Sequence, residues 1–181
     1  MTRRSTLLAG ALAALAVAAP PAAAQEPCAG ADTVPTASEI ERAHDATLCL
    51  INRQRTGRGL RPLKVDHRLR DAAEGYSRHM VRHTFFAHDS AVDGSSMSSR
   101  IRRADYLEGA GRWRIGENLA WGSGERATPR SIVQSWMASP PHRANILSHG
   151  FREIGIGIAA GAPVKVSGRA ATYTTDFGAR S

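Results

Sequence analysis

Phe151-Arg152-Glu153-Ile154-Gly155-Ile156-Gly157 decides the fold. In it, and on through Ile158, isoleucines at 154, 156 and 158 alternate with Glu153, Gly155 and Gly157. A period of two is strand behaviour, and glycines within a strand leave room for a backbone or a ligand to come close. Ala171 to Phe177 reads as a second strand and Leu119 to Trp121 as a third. Upstream the period changes. A first helix opens at Ser38, which forms a Ser-x-x-Glu capping box with Glu41, presents Ile40, Ala43, Thr47, Leu48 and Ile51, and ends at Gly57 and Gly59. Asp66 caps a second helix whose Leu69, Ala72, Ala73, Tyr76 and Met80 fall on one stripe. A short helix follows at Ser98 to Ala104. A fourth takes Thr128 as cap and Pro129 as its first residue, buries Ile132, Val133, Trp136 and Met137, and stops at Pro140-Pro141. Strands scattered among helices without βαβ alternation give an α+β fold with a mostly antiparallel sheet.

The ends and the composition bound the setting. Residues 1–24 read as a secretory signal peptide: Arg3 and Arg4 open it, Leu7 to Ala19 is apolar, and Ala22-Ala23-Ala24 offers the cleavage site. The apolar run is shorter than the roughly 20 residues of a membrane span and ends in Pro20-Pro21. Cys28 follows Gln25-Glu26-Pro27, which is not a lipoprotein signal, so the expectation is export without an anchor. Residues 25–37 form an N-terminal arm and 38–181 a single domain. The two cysteines, Cys28 and Cys49, read in an exported chain as a disulfide tying the arm to the first helix. The formal charge is +8, two units of it from the leader. Such basicity favours anionic partners, a lipid or a cell-surface polymer. The arginines, among them Arg53, Arg55, Arg58, Arg61, Arg68, Arg70, Arg100, Arg102 and Arg103, are nevertheless scattered among carboxylates without interleaved aromatics. They read as a solvated surface and not as a nucleic-acid site.

Three further words accompany the first: Phe85-Phe86-Ala87-His88, Gly116-Glu117-Asn118-Leu119-Ala120-Trp121-Gly122, and Ser139-Pro140-Pro141-His142-Arg143-Ala144-Asn145-Ile146-Leu147. They place imidazoles and carboxylates in apolar, Gly- and Pro-rich surroundings, where a polar group needs a partner or a purpose. With Tyr173-Thr174-Thr175-Asp176-Phe177-Gly178 they resemble the CAP superfamily of cysteine-rich secretory, antigen 5 and pathogenesis-related 1 proteins, in its bacterial single-domain branch. That resemblance implies a three-layer α-β-α sandwich and a cleft holding two histidines and two acids. Matched word by word, His88, Glu117 and His142 take three of those positions. The fourth departs from the pattern, because Ser139 stands where many members carry a glutamate after the helix tryptophan. Glu153 is the candidate replacement, set by its alternation on the face opposite Ile154 and Ile156.

The reading that results is a secreted binding module with a polar cleft. Its histidine pair, His88 and His142, is suited to a divalent metal such as zinc at low affinity, with Glu117 orienting one ring or adding an oxygen. Two protein ligands leave most of the shell to water. No cofactor is required by the sequence. His79 and His83 stand at i, i+4, but Met80 replaces the glutamate a zincin needs, and a structural role is expected for them. Two alternatives stay open. A sterol or lipid groove would draw on Phe85, Phe86, Tyr106 and Trp113, and a hydrolase would combine Ser139, His142 and Glu117, although no Gly-x-Ser-x-Gly elbow occurs.

Overall fold

The computed structural model describes Met1 and residues 27–181. The rest of the expected leader, with Gln25 and Glu26 of the arm, lies outside the described residues. Five helices and four strands follow: α1 (Ile40–Thr56), β1 (Lys64–Val65), α2 (His67–His83), α3 (Met97–Arg103), β2 (Trp113–Ser123), α4 (Pro129–Ala138), α5 (Pro140–Ile146), β3 (Glu153–Ala160) and β4 (Ala170–Arg180). The sheet order is β1-β3-β4-β2. β4 pairs antiparallel with both neighbours, and only the two-residue β1 runs parallel to β3. The arm is fastened as expected, by a disulfide between Cys28 and Cys49.

Local chemistry sets the helix ends. The Asp66 carboxylate accepts from the N–H groups of Arg68 at 2.9 Å and Leu69 at 3.4 Å, and α2 stops at Thr84, whose φ is +55°. Ser96 and Thr128 cap α3 and α4 by accepting from Ser99 and Ser131. The first helix starts differently from the sequence expectation. The capping carboxylate is Glu39, which accepts from the backbone N–H and the hydroxyl of Thr36 at 3.1 and 2.8 Å, so a 3-10 turn over Ala37–Glu39 precedes α1 and Ser38 is not the cap. Pro140-Pro141 ends α4 but also begins α5. Proline is tolerated in a first helical turn, where its missing N–H has no partner to lose.

Two cores flank the sheet. On one face Ile154, Ile156, Ile158, Tyr173 and Phe177 pack with Ile51, Ile132, Val133, Trp136 and Ile146 from α1, α4 and α5. On the other, Leu69, Ala72, Tyr76 and Met80 of α2 meet Ile101, Tyr106 and Leu119. This is the three-layer sandwich. The distance between α2 and the sheet is set by the β3 glycines. A Cβ on Gly155 would lie 2.0 Å from the carbonyl carbon of Leu69, and one on Gly157 2.1 Å from that of Ala73, so the α2 backbone rests directly on the strand. Ser77 Oγ, one turn further on, donates to the Gly157 carbonyl at 3.0 Å.

Arg55 corrects the picture of scattered, solvated arginines. It is 1% exposed and donates to the carbonyls of Arg61, Ile146 and Ser148 at 2.7–3.0 Å, tying the end of α1 to the end of α5. Gly157→Val forces a branched side chain into the α2 backbone, and overpacking of this kind costs about 3 kcal/mol. Chemical denaturation should show that loss, and unchanged stability would place α2 further from the sheet than described.

Candidate functional site

β2, an edge strand of the sheet, carries Glu117 midway along its length, with 2% of its side chain exposed. A carboxylate there needs cations and donors. Two arrive from segments beyond α2. His88 Nδ1 lies 2.8 Å from Oε1, and Arg100 Nη2 donates to Oε2 at 2.6 Å. The same guanidinium donates to the carbonyls of His88 at 3.1 Å and Ser95 at 2.8 Å, and its carbon sits 3.3 Å from the centre of the Tyr76 ring. Tyr76 in turn donates to the carbonyls of Ala87 and His88 at 2.6 and 3.1 Å. The loop bearing His88 is thus fixed from below by an α2 tyrosine and an α3 arginine. The ring itself stays accessible, with 59% of the side chain exposed.

His142 enters from α5. Its Nδ1 lies 2.7 Å from Ser139 Oγ, the hydroxyl that takes the usual glutamate's place. Asn118 Nδ2 donates to the His142 carbonyl, and Asn145 Nδ2 to the Glu117 carbonyl and to Asn118 Oδ1, at 2.9–3.1 Å. Trp136 Nε1 donates to the Leu119 carbonyl at 3.0 Å. The two asparagines hold β2 to α5, and Trp136 holds it to α4. The two imidazoles shift in opposite directions. Its hydrogen bond to Glu117 raises the pKa of His88, while burial and then the His88 charge lower that of His142.

Glu153 goes elsewhere. It lies on the glycine face of β3 and accepts from the Tyr106 hydroxyl at 2.6 Å, and no hydrogen bond or ion pair among the described residues joins it to His88, Glu117 or His142. Ser139 and His142 do meet, but Glu117 is bonded to His88 and does not orient His142. The pair therefore lacks the third member of a catalytic triad. The four aromatics of the lipid reading do not converge. Phe85 packs on the Tyr76–Met80–Leu119 cluster, Tyr106 is fully buried in another, and Phe86 and Trp113 are exposed. His79 stays structural, with Nε2 2.9 Å from Ser90 Oγ and its ring against Phe85 and His83. Among the described residues no group of three His, Cys, Asp or Glu side chains is placed to hold a metal. A cavity of about 690 Å³ lies between α2 and α3. It shares Tyr76 and Arg100 with the cluster but is not lined by His88, Glu117 or His142.

Sequence reasoning missed two members of the cluster. Arg100 is 6% exposed and carries the ion pair, yet nothing in Met97-Ser98-Ser99-Arg100-Ile101 separates it from Arg102 or Arg103. Asp176 faces Glu117 across the β2–β4 pairing, is fully buried, and has no hydrogen-bond partner for either oxygen among the described residues. Burial first, and then the Glu117 charge, push its carboxyl well above the ordinary range, which favours its protonated form. In the unfolded chain the same group ionises near its ordinary value of 3.8. Its raised folded pKa therefore costs stability as pH rises above that point, by about 1.4 kcal/mol for each pH unit until the folded group ionises too. Asp176→Asn removes this penalty. Thermal melts from pH 4 to 7 should show the variant gaining on the parent as pH rises, and a variant that loses stability at pH 7 would mean that Asp176 is ionised.

Comparison with known proteins agrees with this fold. The cysteine-rich secretory protein (CAP) family model matches residues 48–174. The uncharacterized protein YkwD of Bacillus subtilis is 32% identical over 127 residues, covering 69% of this chain and 46% of YkwD, so the chain spans about half the length of that relative. Among solved structures, an extracellular protein containing an SCP domain from Bacillus anthracis superimposes with a TM-score of 0.57 at 27% identity, covering 77% of this chain and 40% of its own. An outer surface protein of Borrelia burgdorferi does so with 0.57 at 22% identity, over 74% of this chain and 90% of its own, a likeness of fold. With the four sequence words, the sandwich they build and a family match over most of its length, this chain belongs to the cysteine-rich secretory protein, or CAP, family.

Proposed function

We propose that the protein is an extracellular binding module whose cleft presents the His88 and His142 imidazoles to a divalent cation. One observation carries this reading. Each ring has its Nδ1 held by a side-chain oxygen, Glu117 at 2.8 Å and Ser139 at 2.7 Å, and neither Nε2 has a protein partner among the described residues. A ring whose Nδ1–H donates to an anchoring oxygen presents the lone pair of Nε2, which is how outer-shell partners orient metal-binding histidines; a bound cation selects that tautomer at His142, where the Ser139 hydroxyl then accepts. Ser139 thus gives His142 the support that Glu117 gives His88. With two protein nitrogens the binding is weak, and a bound ion would supply a Lewis-acidic centre with most of its coordination open to an extracellular ligand.

Binding needs neutral imidazoles. The folded pKa of His88 is raised, so proton competition persists above the ordinary value of 6.5 and affinity continues to climb beyond it. Calorimetric titration of zinc should show weak binding that strengthens through this range. His88→Ala and His142→Ala should each abolish most of it, Ser139→Ala should weaken it by about tenfold, and His79→Ala should leave it unchanged. Equal binding by all the variants would remove the metal site and leave Glu117, Arg100 and the two rings as a structural network.

A further inference from the structure

All four strands carry a cation at one end of the sheet. Lys64 opens β1, Arg152 precedes β3, Arg180 ends β4, and Arg112 and Arg114 flank Trp113 at the start of β2. The register makes them neighbours. Lys64 N–H bonds to the Arg152 carbonyl, Arg152 N–H to that of Gly178, and Trp113 stands opposite Arg180. At about 4.8 Å per strand the row is about 15 Å wide. None of these five cations is in an ion pair among the described residues. Glu153, opposite Lys64 in the strand register, accepts from the Tyr106 hydroxyl and forms an ion pair with none of the five, and Asp66 pairs with Arg68. The other end of the sheet is more balanced, with Glu39 facing Arg42 and Arg169, and Asp32 paired with Arg130.

Two apolar side chains stand out in the same row. Trp113 is 47% exposed between its two arginines, and Val65 is 42% exposed beside Lys64. Unpaired cations around an exposed tryptophan match the boundary of an anionic bilayer, where guanidinium and ammonium groups meet phosphates and the indole lies at headgroup depth. A freely soluble polyanion would use the cations and leave Trp113 and Val65 without a role. We infer that this sheet end is a peripheral docking surface for anionic lipid membranes, separate from the histidine cleft and independent of its proposed metal.

The test compares the full chain with variants in co-sedimentation with vesicles of phosphatidylcholine alone or mixed equally with phosphatidylglycerol. The quantity read is the ratio of the two partition coefficients, in which the apolar run of the leader cancels, while Arg3 and Arg4 are common to every variant and cancel between them. The triple variant Lys64→Gln, Arg112→Gln, Arg114→Gln removes side chains that make no hydrogen bonds among the described residues, and melts should show it folded. At roughly fivefold per cation its ratio should fall about a hundredfold. The triple Arg82→Gln, Arg126→Gln, Lys165→Gln, at the other end of the sheet, should change it little, and Trp113→Ala should lower partitioning into both vesicles. Equal losses from the two triples, or no preference for anionic vesicles, would overturn the proposal. So would rim-dependent binding to a soluble phosphodiester polymer or to DNA without binding to vesicles.

Discussion

A carboxylate buried on an edge strand of the sheet, with almost none of its surface in water, organises this molecule. Glu117 is stable there only because a guanidinium and an imidazole reach it, and each comes from a different part of the chain. Arg100 requires α3 to sit against α2, and His88 requires the loop after α2 to turn back over β2. Tyr76 supports both, stacking on the guanidinium and donating to the loop carbonyls. Asp176 completes the balance, since burial and the Glu117 charge favour its protonated form. A second ionised carboxylate directly across the strand pair would leave Arg100 and His88 outnumbered by buried negative charge as soon as His88 lost its proton.

The sheet must therefore bring α2 unusually close, and the β3 glycines do this. With Leu69 and Ala73 carbonyls lying where side chains would stand, α2 reaches the depth from which Tyr76 meets Arg100 and the Ser77 hydroxyl meets the strand. Arg55 and the Asn118–Asn145 pair do the corresponding work on the opposite face, joining α1, α5 and β2 through carbonyl groups that would otherwise be buried without donors. Two sets of polar ties thus flank the sheet, one on each side, and both histidines belong to segments held in this way.

Much of the fold is legible in the sequence because apolar periodicity and caps are local signals. The stripe from Leu69 to Met80, Asp66 as cap, Thr128-Pro129 as a helix start and the isoleucine alternation all appear in the structure. Where a local rule has two solutions, spacing does not choose between them. Thr36-x-x-Glu39 and Ser38-x-x-Glu41 both fit a capping box, and the chain uses the first; Pro140-Pro141 fits a stop as well as a start, and the chain uses both. The site is legible only as far as its words reach. His88, Glu117, His142 and Ser139 can be named from them, but the pairing of Glu117 with Arg100, the burial of Asp176 opposite Glu117 and the loss of Glu153 to Tyr106 depend on contacts between distant segments. No spacing in the chain encodes them. The arginine row at the sheet end is hidden for the same reason, since only strand register gathers Lys64, Arg112, Arg114, Arg152 and Arg180.

The central claim is that Glu117 is a buried acceptor bonded to His88 and not to His142. Nuclear magnetic resonance titration of the two imidazoles, in metal-free protein, reads this directly. The account predicts a His88 midpoint above 6.5 and a His142 midpoint below it, with the His88 value falling in Glu117→Gln while the fold survives. Coincident midpoints, or a His88 value unmoved by that substitution, would contradict it.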